Sequence, residues 1–296
     1  MEVSISTDRE GAEAVYELLN RYTEGRTVSE ELVQEEEGQA LEPAPSLFIV
    51  RGYLRMDGRE EEVLARIQEG VWHLAQLHPQ GGLTVREMEE EEWLSAWRQH
   101  YGVQRIGQRI VIVPSWEGYI GGPEEAVIRL DPGLAFGTGL HPTTRMCLMA
   151  LQRHLQPGMR VLDVGTGSGI LALAAARLGA RCVLAVDTDP VAVQVAGRNI
   201  AANHLEYIVE VRQGSLEAMQ GGGPFGMALV NILAEVVAEL IPLVTPLLVP
   251  GGLLVGAGIM GAKEGLVRRA FQDQGMAVVD RWQEGEWVAL MGRRGC

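Results

Sequence analysis

Aromatic residues are scarce in this chain: they make up 5% of its 296 residues, and Phe occurs only four times. The core must therefore be packed from Val, Leu, Ala and Ile. Cysteine is also scarce. Cys147, Cys182 and Cys296 are odd in number and widely spaced, which argues against a disulfide framework and against a thiolate metal site. A reduced, cytoplasmic setting is the expectation. Positive charge is in deficit, with 25 Lys and Arg against 39 Asp and Glu and a net charge of −14. A surface of that sign repels phosphates, so a nucleic-acid backbone is not the expected partner; a basic partner suits it, and so does plain solubility. Uninterrupted apolar runs are missing too. Residues 225–260 come nearest, but Glu235, Glu239, Pro242, Pro246 and Pro250 divide them into pieces too short to span a bilayer. No membrane association is expected. Met1-Glu2-Val3 opens without a basic region followed by an apolar segment, so no export is expected either.

What the chain does carry is concentrated in Val161-Leu-Asp-Val-Gly-Thr-Gly-Ser-Gly-Ile170, with Asp187 following 22 residues after Gly165. Residues 160–164 read as one buried strand, and residues 170–178 keep apolar residues at helical spacing. Gly165, Gly167 and Gly169 allow a tight turn and a close approach of backbone to a ligand where a side chain would clash. A second strand at 182–186 ends in Asp187, a carboxylate able to accept both hydroxyl protons of a ribose. The dinucleotide fingerprint G-x-G-x-x-G requires a third glycine at position 170, next to a pyrophosphate; this chain has Ile170 there. The pattern is Asp-x-G-x-G-x-G instead. It resembles the loop of Rossmann-like S-adenosylmethionine-dependent methyltransferases, whose cofactor has no pyrophosphate.

Around this loop the elements alternate. Strands are expected at 106–116 and 125–130, then near 207–211, 227–230 and 253–256, with helices at 190–203 and 263–274. Two final strands at 277–283 and 286–291 form an antiparallel hairpin. This is a doubly wound, mostly parallel α/β sheet, and the hairpin suits the methyltransferase variant better than a dehydrogenase. A smaller α+β module precedes it. Strands are expected at 2–7, 31–36, 46–56 and 83–88, with helices from Asp8 to Tyr22 and over 59–77. The order βαββαβ is that of a ferredoxin-like domain. It shows no catalytic constellation, and His73 and His78 have no partner at ligand spacing, so it reads as a recognition module. Residues 91–101 are expected to form a short connecting helix with Trp93 and Trp97 at i,i+4. The boundaries are therefore 1–90, a linker helix at 91–104, and 105–296.

Two further segments carry polar groups toward the glycine loop. Leu130-Asp-Pro-Gly-Leu-Ala-Phe-Gly-Thr-Gly-Leu-His-Pro-Thr-Thr-Arg145, with three glycines and two prolines, is expected to be an ordered loop that opens a helix. Hydroxyls at a helix start ordinarily satisfy backbone amides, yet this start lies just before the glycine-loop strand, within reach of a ligand's methionine end. Leu229-Val-Asn-Ile-Leu-Ala234 ends a buried strand in Asn231, whose amide needs partners.

In these motifs, together with Trp93-x-x-x-Trp97, Ile112-Val-Pro-Ser-Trp116 and His141-Pro-Thr-Thr144, the chain resembles the ribosomal protein L11 methyltransferase family along nearly its whole length. The resemblance implies methyl transfer from S-adenosyl-L-methionine to amines of ribosomal protein L11, lysine side chains or the N-terminal amine. It also implies that the N-terminal module recognises that substrate. A methyltransferase of another protein or of a small molecule would share the C-terminal domain. By resemblance Thr144, Gly165, Asp187 and Asn231 contact the cofactor, beside Gly167 of the same loop. Gln213-Gly-Ser215 lacks the acid that commonly meets the adenine amino group. No catalytic triad or metal site is present or needed, because a sulfonium methyl is already activated. Asn231 and His141 are the candidates for positioning the amine.

Overall fold

The computed structural model describes residues 1–23, 27–32, 47–54, 58, 60–75, 81–87, 102–130, 141–216 and 223–295. The chain divides into two compact units, Met1–Tyr101 and Gly102–Cys296.

The first unit runs β1 (Glu2–Thr7), α1 (Arg9–Thr23), β2 (Thr27–Leu32), β3 (Leu47–Tyr53), α2 (Glu60–Leu74) and β4 (Thr84–Arg86). Its four strands form an antiparallel sheet in the order β2-β3-β1-β4. Alternation in β1 buries Val3 and Ile5 against Ala12, Val15 and Leu19 of α1 and Ile67 and Val71 of α2. The Asp8 carboxylate starts α1 by accepting the Gly11 amide at 2.7 Å, satisfying one of the amides that a helix start leaves open. One strand starts earlier than the 31–36 that the sequence suggests. β2 begins at Thr27, because its register against β3 runs from Thr27↔Gly52 to Leu32↔Leu47. A pairing partner sets strand bounds more strongly than local pattern does. Residues 33–36 and the Trp93–Trp97 segment lie outside the described residues.

The second unit opens with a separate three-stranded sheet of β5 (Gln104–Ile106), β6 (Ile110–Pro114) and β7 (Ala126–Leu130). The single strand expected over 106–116 is in fact split by a turn at Gly107, whose φ of 61° favours glycine. Gln152 fixes that turn from a distant helix. Its side-chain oxygen accepts the amides of Gln108 and Arg109 at 3.1 and 2.9 Å, and its amide nitrogen donates to the Ile106 carbonyl at 2.9 Å.

The remainder is α3 (Pro142–His154), β8 (Arg160–Val164), α4 (Ile170–Arg177), β9 (Cys182–Asp187), α5 (Pro190–Ala202), β10 (Val209–Gln213), β11 (Phe225–Asn231), α6 (Ala234–Val244), β12 (Leu248–Met260), α7 (Glu264–Asp273), β13 (Ala277–Glu284) and β14 (Trp287–Arg293). The sheet order is β10-β9-β8-β11-β12-β14-β13. The first five strands are parallel, and the terminal two run antiparallel to their neighbours. Alternating strand residues feed two cores: Val161 joins residues of α3 and α4, whereas Leu162 joins Val237 and Ile241 of α6. Helices therefore cover both faces, as a buried, mostly parallel sheet requires. β12 is much longer than the expected 253–256. It pairs from Phe225↔Leu248 on β11 to Met260↔Trp287 on β14, and those ladders carry the strand through its glycines. Among the described residues no helix is long and apolar enough to cross a membrane, and no group of three His, Cys, Asp or Glu is placed to hold a metal ion.

Candidate active site

The strand order reverses between β8 and β11, which lie side by side. At such a switch point the loops leaving the carboxyl ends of the two strands diverge and open a crevice. The glycine loop leaves β8 at that point. Gly165, Gly167 and Gly169 all have positive φ (72°, 56° and 84°), a conformation that other residues adopt only with strain. The amides of Gly165 and Thr166 both donate to the Val186 carbonyl, at 2.9 and 3.0 Å, tying the loop to the end of β9.

Asp187, the last residue of β9, faces this loop. One carboxylate oxygen accepts the Gly167 amide at 2.9 Å and the other accepts the Asp189 amide at 3.0 Å. Each carboxylate oxygen offers more than one acceptor site, and the residue is only half-buried. It can therefore hold the loop and still accept protons from a diol.

Thr144 and Asn231 are 87 residues apart in sequence, yet Asn231 Nδ2 donates to Thr144 Oγ1 at 3.4 Å. Thr144 is fully buried near the start of α3, and Asn231 ends β11, immediately after Val230↔Val164 in the register with β8. Among the described residues only two buried side-chain oxygens lack a hydrogen-bond partner: Asn231 Oδ1 and Asp163 Oδ1. Buried polar atoms are nearly always paired, so the orphaned Asn231 oxygen, beside a loop whose alternate glycines carry no side chain, fits a polar ligand seated here.

The sequence pattern assigns no separate role to Asp163, although an acid inside the apolar run Val161–Val164 marks it. Burial pushes its carboxyl up to about 6; the Thr166 hydroxyl, donating at 2.7 Å, and the Ala172 amide hold it down in part, and Asp187 raises it further. His141 caps α3. Its Nδ1 lies 2.8 Å from Thr143 Oγ1 and its ring meets Trp287 edge-on at 4.8 Å. Burial and the nearby Arg145 push the imidazole down to about 4, so it is neutral at physiological pH. The loop 131–140, with its Asp-Pro-Gly motif, lies outside the described residues.

A seven-stranded, mostly parallel sheet with antiparallel terminal strands, carrying a glycine loop after one strand and an acid at the end of the next, has the fold of the S-adenosylmethionine-dependent methyltransferases. Comparison with known proteins narrows the class. The profile of the family described as "Ribosomal protein L11 methyltransferase (PrmA)" matches residues 1–295, so the chain belongs to the ribosomal protein L11 methyltransferase family. It is 42% identical to the ribosomal protein L11 methyltransferase of Chloroflexus aurantiacus, over 99% of this chain and 98% of that one. It is 40% identical to that of Pelotomaculum thermopropionicum, with the same coverage. Among solved structures, a ribosomal protein L11 methylase from Lactobacillus delbrueckii subsp. bulgaricus superposes with a TM-score of 0.62 at 35% identity. That match covers 66% of this chain and all of the other. Use of S-adenosylmethionine is what membership of this family implies.

Proposed function

We propose that this protein methylates amines of ribosomal protein L11, with residues 105–296 performing the transfer and residues 1–90 recognising the substrate across a linker at 91–104. The βαββαβ order and the β2-β3-β1-β4 sheet support reading the first unit as a ferredoxin-like recognition domain. The net charge of −14 suits a basic protein substrate working in the cytoplasm.

One observation carries the site: Thr144 and Asn231 meet at the switch point with Asn231 Oδ1 buried and unpaired. S-adenosylmethionine, when bound, supplies a methyl already activated by its sulfonium. The glycine loop at Gly165 and Gly167 seats the cofactor against bare backbone, Asp187 accepts its ribose hydroxyls, and Thr144 fixes the Asn231 amide. Asn231 Oδ1 then accepts a hydrogen bond from the incoming amine and aims its lone pair. Holding reactants in line in this way supplies about 7–11 kcal/mol of barrier reduction at most, without any acid–base pair. A lysine ε-amine is protonated near neutral pH and must lose its proton before attack. His141, neutral and facing Thr143, acts as the cap of α3, and the amine's proton leaves to solvent.

The test is to incubate the protein with methyl-labelled S-adenosylmethionine and fractionated ribosomal proteins. Label is expected in L11 and, after acid hydrolysis, is expected to be recovered as methylated lysine or as the methylated N-terminal residue. Label confined to other proteins would refute the substrate; none at all would refute the activity.

A further inference from the structure

We propose that Ile232, gripped between Gly258 and Gly165, is a positioning residue that locks the amine-aiming turn to the cofactor loop; this rests on the reading of Asn231 given above. β11 ends at Asn231, which is paired with Ala257 of β12. The next residue on each strand makes the contact. β12 bulges here, since its register against β14 shifts between Gly256 and Ile259, and Gly258 within the bulge has a φ of 82°. A Cβ on Gly258 would lie 1.9 Å from the Ile232 carbonyl oxygen, 2.7 Å from its carbonyl carbon and 3.2 Å from its nitrogen. These are backbone atoms and cannot rotate away. The Ile232 peptide is seated directly on the bare backbone of Gly258.

The side chain of Ile232 is held from the other direction. A Cβ on Gly165, the first glycine of the cofactor loop, would lie 2.8 Å from Ile232 Cγ2. Main chain rests on one positive-φ glycine and side chain on another, from strands on either side of β11. The turn that carries Asn231 therefore cannot shift without displacing the loop that carries Gly165 and Gly167, and the converse holds. Packed interiors transmit such displacements because they have little free volume. Ile232 reaches neither methyl nor amine in this reading; it acts through Asn231.

The test uses the full chain and four variants: Gly258→Ala, Ile232→Ala, Ile232→Val and Asn231→Ala. Calorimetry with S-adenosylhomocysteine reports cofactor-site affinity, and single-turnover transfer to ribosomal protein L11 at saturating S-adenosylmethionine reports the chemical step. Misplacement by about 1 Å costs up to about a hundredfold in rate, so Ile232→Ala and Gly258→Ala are expected to slow transfer by at least about tenfold. For Ile232→Ala, which cuts the link to the loop, affinity should change by less than about threefold, the split expected when only orientation suffers; Gly258→Ala leaves the link in place and should weaken affinity as well. Ile232→Val keeps Cγ2 and should transfer at the parent rate. Adding Ile232→Ala to Asn231→Ala should cost nothing further, because both act through one side chain. Should Gly258→Ala fail to fold, Ile232→Ala and its double variant still decide. Parent-rate transfer by Ile232→Ala alongside a slow Asn231→Ala overturns the grip and leaves the site reading standing. Equal losses of affinity and rate in Ile232→Ala, or multiplicative losses in the double variant, also overturn the grip. Parent-rate transfer by Asn231→Ala overturns the site reading itself, and the grip with it.

Discussion

Replacing Asp187 with Ala tests the cofactor site most directly, because its carboxylate has two separable duties. Within the protein it accepts the amides of Gly167 and Asp189, at 2.9 and 3.0 Å. Hydrogen bonds to a charged group are each worth about 1.5–3 kcal/mol. Asp187 is half-buried, so water partly replaces the lost acceptor, and a total stability loss of about 1–2 kcal/mol is expected. For a unit of this size that lowers the melting temperature by about 3–6 °C. Toward the ligand, loss of a charged acceptor for the ribose hydroxyls removes about 1.5–3 kcal/mol of binding, or about 10- to 150-fold in Kd. Calorimetric titration with S-adenosylmethionine, alongside a thermal melt, measures both quantities. Asp187→Asn retains one oxygen and should fall between parent and Ala in affinity. A folded Asp187→Ala protein that binds S-adenosylmethionine within about twofold of the parent would refute the ribose assignment, since that is well inside the smallest loss expected from one such bond.

Three other outcomes are expected. Asn231→Ala should slow single-turnover transfer more than it weakens cofactor binding, whereas parallel losses would demote Asn231 to a cofactor contact; Asn231→Asp should retain cofactor yet disturb amine orientation. A chain beginning near Glu91 should fold on the two cores of the second unit and bind cofactor, but lose methylation of L11; full-rate methylation by it would remove the first unit from recognition. The pH dependence of stability should reveal two buried groups that oppose each other. Asp163, raised from 3.8 to about 6, keeps a proton in the folded state that the unfolded chain has released, so its contribution falls as pH rises across that window. His141, lowered from 6.5 to about 4, contributes stability that is present above 6.5 and lost as pH falls toward 4. Each contribution is about 3 kcal/mol. Asp163→Asn should therefore gain stability relative to the parent as pH rises from 3.8 to about 6; urea unfolding that shows a constant difference across that range would contradict the burial cost assigned to Asp163.

What the amino-acid order determined by itself is whatever depends on near neighbours. The glycine loop, the strand before it and the acid 22 residues later belong to one βαβ unit, and its periodicity, turn residues and missing third glycine are all local. The same holds for α1, capped by Asp8, and for the C-terminal hairpin. Features set by a distant partner were legible only in part. The bounds of β2 followed its register with β3, the break after β5 followed the grip of Gln152, and the length of β12 followed two neighbouring ladders. Only the tertiary structure decided that Thr144 meets Asn231, that Asp163 and Asn231 keep unpaired oxygens on adjacent strands, and that Ile232 rests on Gly258 and Gly165. The physical reason is the reversal of strand order between β8 and β11. It brings segments far apart in the chain to one sheet edge, and no local propensity encodes which side chains arrive there.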